Sequence, residues 1–182
     1  MPDCNVDDIH LYELSGAKWY HDNSILPDAG DEMTLMFDAL LTHEREGTYI
    51  DVGANAGVGS FYPLQKGAKK VYSFEAATPN IVCLKNVLCL NSFGPPSLVL
   101  VPHAAGTVDG KEVLFNNHEN PNFRGGNFNN GMVREGLKAG MKGVVSQRMK
   151  RVDTTVSRED TVVFIMKVDV EGFELHVLRA WR

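Results

Sequence analysis

The sequence TYIDVGANAGVG, residues 48–59, joins a short apolar run to three closely spaced glycines. Residues 48–52 are rich in β-forming side chains, and apolar residues resume after the glycines, from Phe61 to Leu64. This order predicts a strand, a glycine turn and a helix. Glycines at such a turn let the backbone pass close to a ligand, although for glycines alone a tight turn without a ligand is the simpler explanation.

Further strands and helices alternate along the rest of the chain. Apolar, β-rich runs predict four strands, at residues 48–52, 70–74, 97–101 and 161–168. Thr78 as the cap and Pro79 in the first turn predict a helix that ends at Leu90, and another helix is predicted from Phe173 onwards. The alternation predicts an α/β fold of the Rossmann-like kind, with a mostly parallel sheet and helices on both faces.

Two regions fall outside this alternation. Residues 1–46 are predicted to be a lead-in followed by a helix from Asp31, which leaves residues 47–182 as the main domain. Residues 107–155 hold predicted strands near 112–115 and 144–149, separated by an Asn- and Gly-rich stretch at 116–131. That stretch is too polar to pack as core, and we expect a loop that covers or recognises part of a site.

Composition excludes some classes of partner and location. The formal net charge is -5, so the chain lacks the basic field that holds a phosphate backbone, and no nucleic-acid partner is expected. Without a signal-like start or a long apolar run, we expect a cytoplasmic protein with no membrane span. The spacing of Cys4, Cys83 and Cys89 suggests neither a disulfide nor a zinc site.

Two carboxylates stand where a ligand would be held. Asp51 precedes the glycines, and Glu75 lies 24 residues further on, at the end of the next predicted strand. In open parallel sheets, an acid at that strand end binds the two hydroxyls of a ribose. Neither the Gly-x-Gly-x-x-Gly fingerprint nor a phosphate-binding loop is present, so a nicotinamide-dependent oxidoreductase is the weakest alternative.

Several segments, taken together, resemble the FkbM family of methyltransferases. They are Tyr49–Gly57, Phe74–Glu75, Lys85–Asn86, Leu90–Asn91, Ala104–Gly106 and Lys167–Glu174, and they follow one another in the family's order from about Gly47 to Arg179. The resemblance implies a Rossmann-like class I fold that uses S-adenosylmethionine and methylates an oxygen of a sugar or small polar metabolite. The chain departs from the family at Ala76, where a proline commonly follows the acid.

Carried over position by position, the resemblance also implies a set of site residues. The methionine part of the cofactor would lie among Asp51, Gly53, Ala54, Asn55 and Gly57. Glu75 would hold the ribose, and His103 and Ala104 would lie along the adenine. An acid at position 51 suits the cationic amino-acid end of this cofactor, whereas His103 could equally be a histidine on the sheet rim.

Asp169 and Glu171 follow the fourth predicted strand and are the candidate catalytic residues. A carboxylate there could take the proton of a hydroxyl acceptor, with Asp169 the first candidate and His118 a distant second. Capping of the following helix is the alternative role for both acids. No metal site is predicted, because hard cations recruit more oxygen ligands than these.

The family's fold normally continues with three more strands, whereas this sequence ends at Arg182. We therefore expect either a fragment or an incomplete gene model whose fourth strand is an exposed edge, which would favour self-association, or a partner that covers this edge. A non-catalytic remnant that still binds the cofactor is the alternative to an enzyme.

Overall fold

The computed structural model describes residues 10–14, 17–21, 47–55, 57–91, 97–116, 137–156, 160 and 162–181. The helix predicted from Asp31 and the loop candidate His118 lie outside these residues, as does the Asn/Gly-rich stretch after Asn116. The domain boundary expected at residue 47 stays a prediction.

Nine strands and four helices are found in the described residues. In chain order they are β1 His10–Leu14, β2 Ala17–His21, β3 Thr48–Val52, α1 Val58–Gln65, β4 Lys70–Phe74, α2 Thr78–Leu90, β5 Leu98–Val101, β6 Ala104–Ala105, β7 Glu112–Asn116, β8 Val144–Lys150, α3 Val152–Thr155, β9 Val163–Val168 and α4 Glu174–Ala180. No helix among these is long and apolar enough to cross a membrane.

The main sheet has four parallel strands in the order β5-β4-β3-β9. Successive side chains of a strand face opposite sides of the sheet, and β3 shows this directly. Tyr49 belongs to one buried cluster with residues of α1 and α2, while Ile50 and Val52 belong to a second with Val152 of α3 and Val177 of α4. Helices therefore cover both faces, and the predicted fold class is confirmed.

Two smaller sheets accompany the main one. Strands β1 and β2 form an antiparallel hairpin. Strands β6, β8 and β7 form the other small sheet, in which β6 is parallel and β7 antiparallel to β8. Because β6 follows β5 closely along the chain, this second sheet stands beside the carboxyl ends of the main strands.

Two details differ from the sequence predictions. Thr78 is not the cap of α2, because the helix begins at Thr78 itself and Ala77 occupies the cap position without a side-chain hydrogen bond. Cys89 takes part in a disulfide, whereas no disulfide was expected. Spacing along the chain could not reveal that pairing, because it depends on which segments the fold brings together. Cys83 is buried.

Candidate functional site

An open cavity of about 700 Å³, counting the solvent at its mouth, lies at the carboxyl ends of the main strands. The described residues that line it are Gly53, Asn55, Phe74, Glu75, Ala76, Asn80, His103, Ala104, Ala105, Val113, Phe115, Asp169, Val170, Glu171 and Phe173. Val113 and Phe115 come from β7, so the second sheet supplies an apolar wall.

The turn after β3 brings the backbone to the cavity. Gly53 has φ +83°, and a β-carbon there would overlap the main-chain carbonyl of Asp169, so only glycine fits against the end of β9. Gly57 has φ +97°, and a β-carbon would strike Phe61 and Leu84 instead. Gly53 therefore lines the cavity and also packs against the end of β9. Gly57 packs instead against the helices α1 and α2.

Glu75 is buried at the end of β4 and accepts hydrogen bonds from several sides. Its Oε2 accepts the amide N–H of Asn55 at 2.7 Å, and its Oε1 accepts those of Ala76 at 2.9 Å and Ala77 at 2.8 Å. A side-chain hydrogen bond joins it to Asn80. Burial raises the pKa of Glu75, whereas these bonds act in the opposite direction because they stabilise the charged carboxylate.

Asp51 is buried next to the turn that reaches the cavity, but it does not line the cavity itself. Its Oδ2 accepts a hydrogen bond from the Ser60 hydroxyl at 2.7 Å, and its Oδ1 lies 3.2 Å from Lys167 Nζ. The Lys167 ammonium also donates to the carbonyl oxygen of Gly53 at 2.9 Å. The pKa of Lys167 is raised: burial opposes its charge, but the carboxylates of Asp51 and Asp169 stabilise it. Asp51 is thus neutralised by a cation from the neighbouring strand.

Three buried polar atoms in the cavity wall have no hydrogen-bond partner among the described residues. They are Asn55 Oδ1, Asn80 Oδ1 and His103 Nδ1. Burial lowers the pKa of His103, and the charges of Lys150 and Arg148 lower it further, so the imidazole stays neutral at neutral pH. Since buried polar groups are normally paired, three unpaired ones around one cavity indicate a polar ligand.

Two acids at the end of β9 complete the site. Asp169 is 64% exposed and lies 3.8 Å from Lys167, and its backbone N–H donates to the carbonyl of Val52. Glu171 has φ +54°, a strained value for a residue with a side chain. Its pKa is raised by burial and by the nearby acids Asp169 and Glu174. Neither candidate acid caps the next helix: Glu174 accepts the amide N–H groups of Val170 and Gly172.

The structure brings together most of the residues expected from the sequence. Gly53, Asn55, Glu75, His103, Ala104, Asp169 and Glu171 all line the cavity, whereas Asp51, Ala54 and Gly57 do not. Sequence reasoning missed Asn80 and Lys167. Asn80 stands beside Pro79 in the first turn after Glu75, and Lys167 opens the last motif, but neither position alone indicated a partner.

Parallel strands in this order, helices on both faces and an acid at the end of the second main strand define a Rossmann-like α/β fold. Residues 51–182 match the family described as the Methyltransferase FkbM domain. The chain belongs to that family, as its motifs led us to expect, and the assignment supports S-adenosylmethionine as the cofactor.

Comparison with individual proteins is less informative. No curated protein matches significantly. A solved FkbM methyltransferase from Methylobacillus flagellatus KT is 18% identical over 75% of this chain and 29% of its own, with a TM-score of 0.48. An S-adenosylmethionine-dependent methyltransferase from Agrobacterium tumefaciens is 15% identical over 57% and 35%, with a TM-score of 0.45. The M. jannaschii tRNA m1G37 methyltransferase is 19% identical over 52% and 29%, with a TM-score of 0.41.

The chain thus spans about a third of the length of these solved structures. With TM-scores below 0.5, these similarities do not decide what the chain acts on.

Proposed function

We propose that this domain binds S-adenosylmethionine in the cavity and transfers its methyl group to an oxygen of a sugar or small polar metabolite. The observation that carries the proposal is the set of three unpaired buried atoms, on Asn55, Asn80 and His103. A nucleoside offers hydroxyl, amine and ring-nitrogen groups, so it can pair with such atoms where an apolar ligand could not.

The charge of the cavity supports this cofactor over a dinucleotide. Its described lining includes three acids, Glu75, Asp169 and Glu171, and no lysine or arginine. S-adenosylmethionine carries a sulfonium and an ammonium, which such a lining attracts, whereas a pyrophosphate would be repelled. The nicotinamide alternative therefore fits the electrostatics less well.

When bound, S-adenosylmethionine supplies a methyl group already activated for displacement by its sulfonium. The protein's part is to align the acceptor with that methyl group and to receive the acceptor's proton. Glu171 is our preferred candidate for the second task, because burial and its acidic neighbours raise the pKa of its carboxyl. Asp169, beside the Lys167 ammonium, is better suited to hold a charged or hydroxyl group in place.

A titration with S-adenosylhomocysteine tests the cofactor part of the proposal. We expect the wild-type chain to bind it, and Ala104→Trp to weaken binding at least about tenfold, because Ala104 lines the cavity where the adenine would lie. Val108→Trp is the matched control, since Val108 is half exposed and does not line the cavity. A folded wild-type chain that binds NADH but not S-adenosylhomocysteine would contradict the proposal.

The acceptor part of the proposal needs a second experiment. Candidate sugars and small polar metabolites are incubated with S-adenosylmethionine, and each product is examined by mass spectrometry and NMR. We expect a gain of one methyl group on oxygen. Methylation of nitrogen alone, or of RNA in place of small molecules, would contradict the proposed acceptor class. It would not contradict the proposed cofactor site.

A further inference from the structure

Phe173 gives the cavity a partly exposed aromatic ring. Among the described residues, three phenylalanines line the cavity, namely Phe74, Phe115 and Phe173. The first two are only 1% and 2% exposed, whereas Phe173 is half-buried. Of the three rings, Phe173 therefore has the most surface left for a ligand to contact.

The ring of Phe173 is held from outside by His176, one helical turn further along the chain. The two ring centroids are 4.2 Å apart and the ring planes differ by 18°, so the imidazole covers one face of the phenyl ring. His176 itself is exposed. Because one face is occupied in this way, Phe173 meets the cavity with its other face and its edge.

The backbone that leads to this ring is fixed as well. Glu171 and Gly172 both have left-handed backbones, with φ angles of +54° and +97°, and they turn the chain after β9. The Oε1 atom of Glu174 accepts the N–H groups of Val170 at 3.0 Å and Gly172 at 3.1 Å. Side chains locked by packing and by supporting hydrogen bonds are characteristic of ligand-contacting positions.

This ring stands at the far end of the cavity from the expected nucleoside. Glu75 follows β4 and His103 follows β5, whereas Phe173 comes after β9. In the order β5-β4-β3-β9, the two outer strands are three strand spacings apart, or about 14 Å. A nucleoside at the ends of β4 and β5 therefore leaves Phe173 free for the methyl acceptor.

We propose that the acceptor is a pyranose sugar whose C–H face lies on the ring of Phe173, with its hydroxyl edge turned towards Glu171. This inference rests on the proposed function and narrows its acceptor from any small polar metabolite to a cyclic sugar. Phe173 is the specificity-determining residue, and His176 is the positioning residue that holds its ring.

The shape of a pyranose fits this end of the cavity. Its ring carries an apolar face of C–H groups and a rim of hydroxyls, so it can cover a phenyl ring and reach a carboxylate together. Phe173 and Glu171 are two residues apart and line the same cavity. Binding sites commonly combine an apolar wall with a few polar groups that fix the orientation of the ligand. An open-chain polyol has the hydroxyls but no rigid apolar face.

The test is saturation-transfer NMR of the chain in the presence of saturating S-adenosylhomocysteine. The probes are the methyl pyranosides of glucose, galactose and mannose, each compared with its open-chain polyol, glucitol, galactitol or mannitol. We expect at least one pyranoside to bind at least about fivefold more tightly than its polyol. Saturation should reach the C–H protons of one face of that pyranoside more strongly than those of the other.

Phe173→Leu removes the ring and keeps an apolar side chain. It should bind the preferred pyranoside about fivefold more weakly and no longer distinguish it from its polyol. Its affinity for S-adenosylhomocysteine should change by less than about twofold. Phe173→Tyr keeps the ring face and should retain the preference. A merely structural role for Phe173 would weaken pyranoside and polyol binding equally.

His176→Ala tests the positioning residue. Without the imidazole the ring of Phe173 is less constrained, so the difference in saturation between the two faces of the pyranoside should decrease. His176→Phe restores a stacked ring and should restore that difference. Leu178→Ala is the matched control, because Leu178 is 47% exposed on α4 and does not line the cavity. An unchanged difference in His176→Ala would contradict the positioning role.

The inference and the proposed function fail in different ways. A wild-type chain that binds S-adenosylhomocysteine, but binds no pyranoside better than its polyol, overturns the role of Phe173 alone. If Phe173→Leu loses as much affinity for S-adenosylhomocysteine as for the pyranoside, the ring belongs to the cofactor site and the inference is wrong. A folded wild-type chain that does not bind S-adenosylhomocysteine contradicts the proposed function, and the inference with it.

Discussion

Asn55 and Glu171 both have a left-handed backbone, although neither is glycine. Their φ angles are +52° and +54°, and both residues line the cavity. Asparagine tolerates this conformation, whereas for glutamate it costs on the order of 1 kcal/mol or more. The strain is concentrated where a ligand would bind, which is typical of functional positions.

Replacement of Glu171 by glycine should therefore stabilise the folded chain. Glycine adopts φ +54° without a β-carbon clash, and the change also removes repulsion from Asp169 and Glu174. We expect the free energy of unfolding to rise by about 0.5–1 kcal/mol, measured by urea denaturation at neutral pH.

Glu171→Gln separates strain from charge. This variant keeps the β-carbon and loses only the negative charge. The rise in its free energy of unfolding should therefore be smaller than that of Glu171→Gly. If Glu171→Gly instead destabilises the chain, the glutamate side chain supports the fold and its position is not evidence of function.

Single residues also show where sequence reasoning reaches its limit. Gly53 and Glu75 could be placed beside a cavity from the sequence alone, because each stands at the end of a predicted strand. Asn80 was not, because its importance depends on an unpaired oxygen that only the packed structure reveals. The position of Asp51 beside the glycines was correctly noted, but the cation that neutralises it comes from a distant strand.

At the scale of elements, β9 has an unusual position. It pairs with β3 on one side, and among the described strands none pairs with its other edge. Its residues are all partly buried, and Val162, just before it, is 61% exposed. The unpaired N–H and C=O groups of an apolar edge strand can form hydrogen bonds with a strand of another chain.

We expect this chain to self-associate through that edge, and Val162→Lys to weaken the association. A lysine at an edge opposes strand addition because the partner would have to accommodate its charge. Sedimentation velocity over a range of concentrations measures the effect. Val82→Lys is the control, because Val82 is also exposed, at 49%, but lies on α2. Equal association of wild type and Val162→Lys would show that β9 is not the contact.

Elements were predicted with uneven accuracy, and packing explains the difference. Strands β3 and β4 have the predicted bounds, because a central parallel strand is buried on both faces and its apolar run begins and ends with it. The predicted fourth strand was two residues too long at its start. There the exposed Val162 continues the apolar pattern but lies outside β9, although its carbonyl oxygen accepts the backbone N–H of Thr48. The start of α2 also differed from its predicted position. Thr78 was predicted to precede the helix as its cap, but it is the first residue of the first turn.

At the scale of the whole molecule, the ion pair of Asp51 and Lys167 joins residues 116 positions apart. Their side chains are 2% and 17% exposed, so the pair is largely shielded from water. Lys167→Met should lower the free energy of unfolding by about 3–5 kcal/mol, because it leaves the Asp51 carboxylate buried without its cation.

A double-mutant cycle measured by guanidinium denaturation checks this expectation. The double variant Asp51→Asn/Lys167→Met should lose less free energy of unfolding than the sum of the losses in the two single variants, because neither charge then remains unpaired. Additive costs would mean that the two side chains do not interact in the folded chain.

The same separation matters while the protein is being made. At roughly 5–20 residues per second, a ribosome would add Lys167 on the order of 6–23 seconds after Asp51. Until then, strands β3, β4 and β5 can associate only around a carboxylate that has no cation, and the strand that fills the other side of β3 has not yet been synthesised. The nascent sheet is therefore expected to remain loosely formed for that interval, and to be exposed to chaperones and proteases until β9 arrives.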